Sequence, residues 1–377
     1  MGMLKHISIQ VEQRGATLNL FITQTVKLNI AFSHTDAKNG GYGVLANGIA
    51  KAIEAHPGMS LVKRHYVGKE HKDETYSKES PDVVLTYGTP EAYKYARKKY
   101  RNKPFIHYSV WESSIYPEAW AELFADVDLL LTATKYTQKT IRKAGLNSSV
   151  WHHAIDDRFQ YREAVDDKVF TFYHYNGYEY RKGTEILLQA FTKEFGVNEP
   201  VKLVIKSREI GYASVYRPEN KYRILGSEPK LQDIGHPLVE EVIGHVSDEK
   251  MVELGETADC FVFPAKGEGW GLPPFEAMAM GIVPILPNKG AFTEWFDDEN
   301  MIDVEIDGYY NGGLRYPGAL FLVSEEDLMK KMRWAYDNQD ELKEMGIRGS
   351  AGIREKYDWD KIIKDFYQYA KSTMDTK

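Results

Sequence analysis

One segment, residues 260–281, constrains the fold of this chain more than any other. It opens with a short apolar run, Cys260–Pro264, of the kind that is buried in a parallel sheet. A glycine-rich loop follows at 266–271, and then an apolar, helix-forming run that begins with Pro273 and Pro274. Because proline fits the first turn of a helix and is excluded from its interior, the two prolines predict a helix start. The segment therefore predicts a strand, a glycine loop and a helix in succession.

The loop is predicted to bind an anion. The first backbone N–H groups of a helix have no partner within the helix, and they lie at the positive end of its dipole. Such a position favours phosphate above other ligands. The residues that would present these groups are Gly269, Trp270, Gly271 and Leu272.

Two carboxylates flank the predicted anion site. Glu268 lies on the loop, and the prolines place Glu276 in the first helical turn, so the two side chains would reach one ligand from two sides. Carboxylates that accept hydrogen bonds from sugar hydroxyls suit both positions, and together with bound phosphate they indicate a sugar nucleotide. The simpler alternative is a solvated loop acid beside an acid that offsets the helix dipole.

The stretch from Gly267 to Gly281, with seven residues between its two glutamates, resembles the signature of family-4 retaining glycosyltransferases, group 1 enzymes of the GT-B fold. The resemblance covers the chain from about residue 27 to its end and is strongest over 169–296. It implies an α/β fold with two Rossmann-like domains that face each other across a cleft. In that family the second glutamate binds the nucleotide ribose, the first contacts the donor sugar, and the loop amides hold the donor.

The length of 377 residues predicts more than one domain. The resemblance implies an acceptor-side Rossmann-like domain over 1–160, a sugar-nucleotide domain over 161–355, and a C-terminal helix over 356–377 that crosses back to the first domain. Strand-period alternation predicts an added hairpin within 1–26. Residues 207–237 show no clean period, which predicts an insertion.

The first half of the chain contributes further site candidates. A second strand and glycine loop precede a predicted helix at 44–53, and a strand at 105–109 carries His107 towards its C-terminal end. The resemblance assigns the loop to the diphosphate and the acceptor, and the histidine to the donor sugar. A hydrogen-bonded structural histidine is the alternative. The loop glycines are Gly40, Gly41 and Gly43, and Trp111 and Glu112, which follow the strand, are assigned to the acceptor side.

A donor diphosphate needs neutralising charge, which Lys182 can supply from the start of a predicted helix. The family places an arginine six positions before this lysine, where this chain has Asn176. Arg181, or Lys206 at the end of a predicted strand, is therefore expected to compensate, although most lysines are simply solvated. Backbone groups around Val246 match those that contact the nucleobase in the family.

Composition restricts the cellular location and the partners expected for this chain. The chain has a single cysteine, Cys260, so it can form no internal disulfide and no metal cluster of several cysteines. This fits a reducing cytoplasm. No apolar run is long enough to span a bilayer, and the N-terminus has no signal-peptide layout. The net charge of −7 argues against broad attraction to nucleic acid. A basic run at 94–103 indicates a solvated helix face or a patch at the inner face of the membrane.

Together with these features, the resemblance implies a metal-independent, retaining, hexosyltransferase-type enzyme that needs no cofactor. It would move a sugar from a UDP or GDP sugar to a hydroxyl group of a glycan, a lipid-linked molecule or a small molecule, by a front-face route. Four other functions stay open: a nucleotide-sugar epimerase, a glycosyltransferase acting on a nucleic-acid base, a retaining glycosidase that uses both glutamates, and a catalytically silent sensor.

Overall fold

The computed structural model describes residues 4–13, 16–25, 27–35, 40–69, 71–163, 169–177, 179–207 and 236–375. The chain divides into two compact units. The first comprises Met1–Ser109, Glu122–Thr132 and Trp359–Lys377, and the second comprises Val110–Ala121 and Ala133–Asp358.

The predicted N-terminal hairpin is confirmed. Strands β1 (Leu4–Gln13) and β2 (Ala16–Thr25) pair antiparallel over their whole length, with Ile7 opposite Ile22. The alternation of apolar and polar residues at period two matches the geometry of a strand. Residues 14–15 of the predicted turn lie outside the described residues.

The first unit is built on a mostly parallel sheet. Its strands are β3 (Leu28–Thr35), β4 (Met59–Val67), β5 (Lys72–Thr75), β6 (Val83–Tyr87), β7 (Phe105–Ser109) and β8 (Leu129–Thr132). They lie in the order β5-β4-β3-β6-β7-β8, and only β5 runs antiparallel to its neighbour. Helices α1 (Gly41–Ala55) and α2 (Pro90–Lys99) follow β3 and β6, and α3 (Glu118–Phe124) follows β7. β6 and β7 are buried along their whole length, as their near-continuous apolar sequence predicts.

The second unit is a doubly wound sheet. It begins with α4 (Lys135–Lys143) and β9 (Ser149–Val150). Its parallel strands are β10 (Phe170–Asn176), β11 (Val201–Ser207), β12 (Val239–Ile243), β13 (Cys260–Val262), β14 (Val283–Leu286) and β15 (Ile302–Asp303). Their order is β12-β11-β10-β13-β14-β15, so the direction of winding reverses between β10 and β13. Ligands of open α/β sheets bind outside the carboxyl ends of the strands at such a reversal.

Helices cover this second sheet, and a separate hairpin stands beside it. The helices are α5 (Thr184–Glu194), α6 (Asp248–Glu256), α7 (Leu272–Ala279), α8 (Glu325–Asp337) and α9 (Gln339–Lys356). Phe172, Leu187 and Leu203 are fully excluded from solvent in the core between sheet and helices. Each such side chain contributes roughly 1.5–3 kcal/mol. The antiparallel hairpin consists of β16 (Ile306–Asn311) and β17 (Ala319–Val323).

The C-terminal helix α10 (Trp359–Asp375) packs against α1 and β7 within the first unit. Its first residue lies so close to α1 that a Cβ added at Gly48 would come within 2.3 Å of the Trp359 ring. Glycine is therefore needed where α1 meets α10.

Two boundaries differ from those drawn on the sequence. Residues 110–121 and 133–160, predicted to lie in the first domain, cluster with the second unit. One reason is a long-range hydrogen bond within the second unit, in which Ser113 Oγ donates to the Pro317 carbonyl at 2.7 Å. Strand β9 ends at Val150, and 151–156 makes no sheet pairing. Residues 208–235 of the predicted insertion lie outside the described residues, as do residues 164–168.

In the part of the chain that the structure describes, no helix is both long and apolar enough to cross a membrane.

Candidate active site

The two predicted halves of the donor site meet at the carboxyl edge of the second sheet. β10 and β13 are hydrogen-bonded neighbours, so the loops that follow them leave the sheet side by side. The loops are joined directly, because Lys266 N donates to the Arg181 carbonyl at 2.7 Å. Gly183 makes this approach possible, since a Cβ there would meet the Pro264 carbonyl oxygen. The cations predicted near 182 and the glutamate loop are thereby brought to one place.

Glu268 is a buried, doubly paired carboxylate and not a solvated loop acid. Only 7% of the residue is exposed. Its Oε1 accepts hydrogen bonds from Lys182 Nζ at 2.5 Å and pairs with an Arg181 guanidinium nitrogen at 2.9 Å. Burial raises the pKa of Glu268, but the charges of Arg181 and Lys182 outweigh it and hold that pKa below its ordinary value. Glu268 is therefore ionised at neutral pH.

Arg181 is the centre of a larger charge cluster. It is buried, donates to the Gly267 carbonyl, and lies 3.4 Å from Glu179 and 3.8 Å from Glu112. The ring of Tyr316 lies 5.0 Å from its guanidinium carbon, within range of a cation–π contact. Glu112, predicted on the acceptor side, thus shares a cation with Glu268, and burial raises the pKa of Glu112.

Trp111, the other residue predicted on the acceptor side, lies in the same unit. Its indole Nε1 donates to the Ile115 carbonyl at 2.6 Å. Its ring packs on Trp120 at 5.2 Å and on Tyr316 at 6.2 Å. Trp111 therefore holds the segment after β7 beside the ring that covers Arg181.

Asn176, which stands where the family has an arginine, takes part in a hydrogen-bond network. Its amide nitrogen bonds to Nε2 of His174, whose Nδ1 lies 2.7 Å from the Val262 carbonyl. A carbonyl can only accept, so the His174 proton is on Nδ1 and its Nε2 receives bonds from Asn176 and from Thr184 Oγ1 at 3.0 Å. Burial lowers the pKa of His174 to about 4, which keeps this network neutral.

Lys206 is buried at the end of β11. Its ammonium group donates to the carbonyls of Ser207 at 3.1 Å and Gly244 at 2.7 Å. Val246, the predicted nucleobase contact, is half-buried in the turn after β12, and the adjacent Ser247 caps α6 by accepting from Lys250 N at 3.2 Å.

The loop between the glutamates is held rigidly. Trp270 is buried with its ring 5.1 Å from that of Phe275, and its carbonyl accepts from Trp295 Nε1 at 2.9 Å. A Cβ at Gly269 would lie 3.0 Å from Val110. Gly271 has φ of +91°, precedes Leu272 at the start of α7, and faces the ring of Phe292. The loop thus presents backbone at the helix start, while the Trp270 side chain packs inward.

Replacing Gly271 by alanine is expected to destabilise the protein by more than about 2 kcal/mol. A left-handed conformation costs an L-residue roughly 1–2 kcal/mol, and the new Cβ would lie 2.5 Å from the Phe292 ring. Gly313→Ala is the matched control, because Gly313 also has positive φ but has no atom within 4 Å of its Cβ position. Thermal unfolding of both variants measures the difference, and equal losses would show that the packing on Phe292 is unimportant.

Glu276 lies just beyond the first turn of α7, in which it was predicted to lie. The helix begins at Leu272, before the two prolines, so Glu276 is its fifth residue and not part of the first turn. Its Oε2 accepts a hydrogen bond from the Tyr175 hydroxyl. Burial raises the pKa of Glu276 to about 8. The hydroxyl of Tyr173, buried nearby, has no hydrogen-bond partner among the described residues.

In the first unit the predicted glycine loop is shorter than expected. Gly40 is the N-cap of α1, and its carbonyl accepts from Gly43 N at 2.9 Å. Gly41 and Gly43 already belong to the helix, because the predicted start at residue 44 is three residues late. This helix start follows β3, where the strand order of the first sheet reverses between β3 and β6.

His107 lies in the middle of β7, so its predicted place at the C-terminal end of the strand is wrong. The strand continues to Ser109, and the side chain is fully buried. Its Nδ1 bonds to Thr86 Oγ1 at 2.8 Å, and its ring stacks on Phe124 at 3.9 Å. Burial lowers the pKa of His107 to about 3. Its role at the donor sugar stays a prediction.

Several residues of the cluster carry no sequence signal of their own. Tyr175, Glu179 and Tyr316 come from β10, the loop after it and the β16–β17 hairpin. Their importance follows only from contacts across more than 80 positions of the chain. Within the described ranges no group of three or more His, Cys, Asp or Glu side chains is placed to hold a metal ion.

The fold and the paired glutamates at the strand reversal define a GT-B glycosyltransferase with two Rossmann-like units. The family model of the glycosyl transferases group 1 matches residues 155–350, more than half of the chain. The chain belongs to this family.

Solved structures agree in fold. Anabaena HepE, solved with UDP and glucose, superposes with a TM-score of 0.65 over 92% of this chain and 100% of its own, at 13% identity. Sucrose-phosphate synthase from Thermosynechococcus elongatus gives a TM-score of 0.67 over 93% and 100%, at 14% identity.

One curated relative shares a short segment. A protein of Sulfolobus islandicus filamentous virus, provisionally named glycosyltransferase 41, is 36% identical over 62 residues. That segment is 16% of this chain and 17% of the viral protein.

Proposed function

We propose that this chain is a retaining, metal-independent glycosyltransferase that moves a sugar from a nucleoside-diphosphate sugar to an acceptor hydroxyl group. The observation that carries the proposal is the pair of buried glutamates on either side of one rigid loop. Glu268 is held ionised by two cations, and Glu276 bonds to a tyrosine hydroxyl. Both carboxylates have the chemistry to accept hydrogen bonds from sugar hydroxyls.

We assign a role to each site residue from its position beside the loop. Glu276 would accept bonds from the ribose, Glu268 would position the donor sugar, and the amides from Gly269 to Leu272 at the start of α7 would hold phosphate. Arg181 and Lys182, beside Glu268, would offset the charge that develops on the departing diphosphate. Stabilising such charge is commonly the largest electrostatic contribution of an enzyme.

In the proposed step the acceptor oxygen bonds to the anomeric carbon on the face from which the diphosphate leaves. The bond from that carbon to the diphosphate oxygen breaks, its electron pair stays with the diphosphate, and the acceptor proton passes to a diphosphate oxygen. A glycan or a lipid-linked molecule is the expected acceptor. The UDP and glucose bound to HepE support a uridine nucleotide as the first donor to test.

Thermal unfolding with UDP-glucose, GDP-mannose and ADP-glucose tests the proposal. A ligand at one hundred times its Kd stabilises the folded state by about 2.7 kcal/mol, so one nucleotide class is expected to raise the melting temperature while the free monosaccharides do not. Incubation of that donor with glycan acceptors should then give transfer. Interconversion of the sugar without acceptor would favour an epimerase, and no stabilisation by any nucleotide would contradict the proposal.

A further inference from the structure

The positive charges beside the candidate donor site already have partners. Lys182 Nζ and an Arg181 nitrogen converge on the same oxygen, Glu268 Oε1, at 2.5 and 2.9 Å. Lys182 is 15% exposed and Glu268 8%, counted on the side chains, so water screens this pair little. Burial and the neighbouring Arg181 lower the pKa of Lys182, and Glu268 opposes that shift. The ion pair with Glu268 therefore favours the charged form of Lys182 against the effect of burial.

The other cations of this edge are also engaged. Lys266 Nζ pairs with Glu185, the second residue of α5, and lies 3.1 Å from the centre of the Tyr180 ring. Lys206 donates to two carbonyls, as described above. A diphosphate that binds one of these lysines must therefore displace a partner that the lysine already has. Glu268 is the competitor for Lys182.

We infer that Glu268 is a removable counterion of Lys182, and that it makes the site select a sugar nucleotide over the free nucleoside diphosphate. The inference rests on the proposed function. When a sugar nucleotide binds, hydroxyl groups of the sugar donate to Glu268 and replace the bonds that Lys182 gives up to the diphosphate. A free nucleoside diphosphate lacks the hydroxyls of the donor sugar. Lys182 can therefore bind it only by giving up its bond to the buried Glu268, and no other donor replaces that bond.

The preference for the sugar nucleotide over the free nucleoside diphosphate would also help the enzyme to release its product. Breaking a buried ion pair without replacing it is costly. Without Lys182, Glu268 would keep only Arg181, a cation that two other acids already share. After transfer, the product diphosphate carries no sugar, so nothing replaces the bond between Lys182 and Glu268 that it breaks. Glu268 would then recapture Lys182 and speed the release of the product, so one carboxylate both positions the sugar and limits inhibition by product.

The test compares binding of UDP with UDP-glucose, GDP with GDP-mannose, and ADP with ADP-glucose by calorimetry, using the full chain. For the pair that binds, the wild-type protein is expected to favour the sugar nucleotide by roughly tenfold or more, which is about 1.4 kcal/mol. Glu268→Gln keeps the shape and removes the charge, so it should tighten nucleoside diphosphate binding roughly tenfold and bring the ratio close to one. Glu268→Asp keeps the charge and should keep a ratio nearer to wild type.

A measurement on the wild-type protein covers the case in which Glu268→Gln does not fold. Saturating free glucose, N-acetylglucosamine or mannose should lower the Kd of the nucleoside diphosphate, because sugar hydroxyls occupy Glu268 and release Lys182. A ratio unchanged in Glu268→Gln, or no effect of any of these sugars on the wild type, would overturn the inference. If no nucleotide binds to the wild type at all, it is the proposed function that fails.

Discussion

Replacing Glu276 by glutamine is expected to abolish sugar transfer and to weaken nucleotide binding by roughly 10- to 100-fold. Hydrogen bonds to a charged group contribute about 1.5–3 kcal/mol each, and an ionised carboxylate can accept from Tyr175 and from ribose hydroxyls together. The amide in its place has one acceptor oxygen, which Tyr175 already occupies. Calorimetry with the donor and a transfer assay measure the loss, and Glu240→Gln, on an exposed strand position, is the control.

The pH dependence of binding gives this prediction a second readout. The pKa of Glu276 is about 8 because burial disfavours its charge, so the empty site holds a proton below that pH. Binding that requires the carboxylate must release this proton. Donor affinity should therefore rise with pH, by up to tenfold per unit, until it levels off near pH 8. In Glu276→Gln the dependence should be absent, and a wild-type affinity that is flat from pH 6 to 8 would contradict the assigned role.

Loss of binding in Glu276→Gln should not come from loss of fold. The folded-state pKa of Glu276 lies above its unfolded value, so its contribution to stability is present at low pH and is lost as the pH rises towards 8. Glutamine does not titrate. The variant should therefore gain melting temperature relative to wild type between about pH 5 and 8. Near-normal transfer in this well-folded variant would refute the ribose assignment.

The backbone around the site was predictable because its signals are local. Pro273, Pro274 and Gly271 mark where α7 begins, and the apolar run from Cys260 marks the strand before it. The same reasoning placed the hairpin ahead of the first core strand. Each of these conclusions needs only neighbours within one turn of helix or one strand, which the sequence displays directly.

The bonding of the site was not predictable, because its partners are distant in sequence. Arg181 meets Glu112 and Glu268, which lie about seventy and ninety positions away. Asn176 showed that the family's arginine is missing, but nothing in the sequence shows that its amide bonds to His174. The predicted strand 105–109 agrees with β7, but His107 is its middle residue, and its stacking on Phe124 is a contact that the sequence does not display.

Replacing Arg181 by methionine is expected to destabilise the protein by about 3–5 kcal/mol, the usual cost of removing one partner from a buried ion pair. Glu112, Glu179 and Glu268 all lie within 4 Å of its guanidinium group, and Glu268 would keep only Lys182. Methionine preserves much of the packing on Tyr316, so the loss would report the charge.

Arg315→Met is the matched control, because Arg315 also pairs with Glu179, at 2.6 Å, but is 55% exposed. Exposed pairs contribute about 0–1 kcal/mol, so this variant should melt close to wild type. Without Arg181 the buried acids bind protons more readily, and protonation removes their repulsion. The deficit of Arg181→Met should therefore shrink as the pH is lowered from 8 to 5. Thermal or denaturant unfolding at several pH values checks this, and similar losses in both variants would mean that the buried cluster does not depend on Arg181.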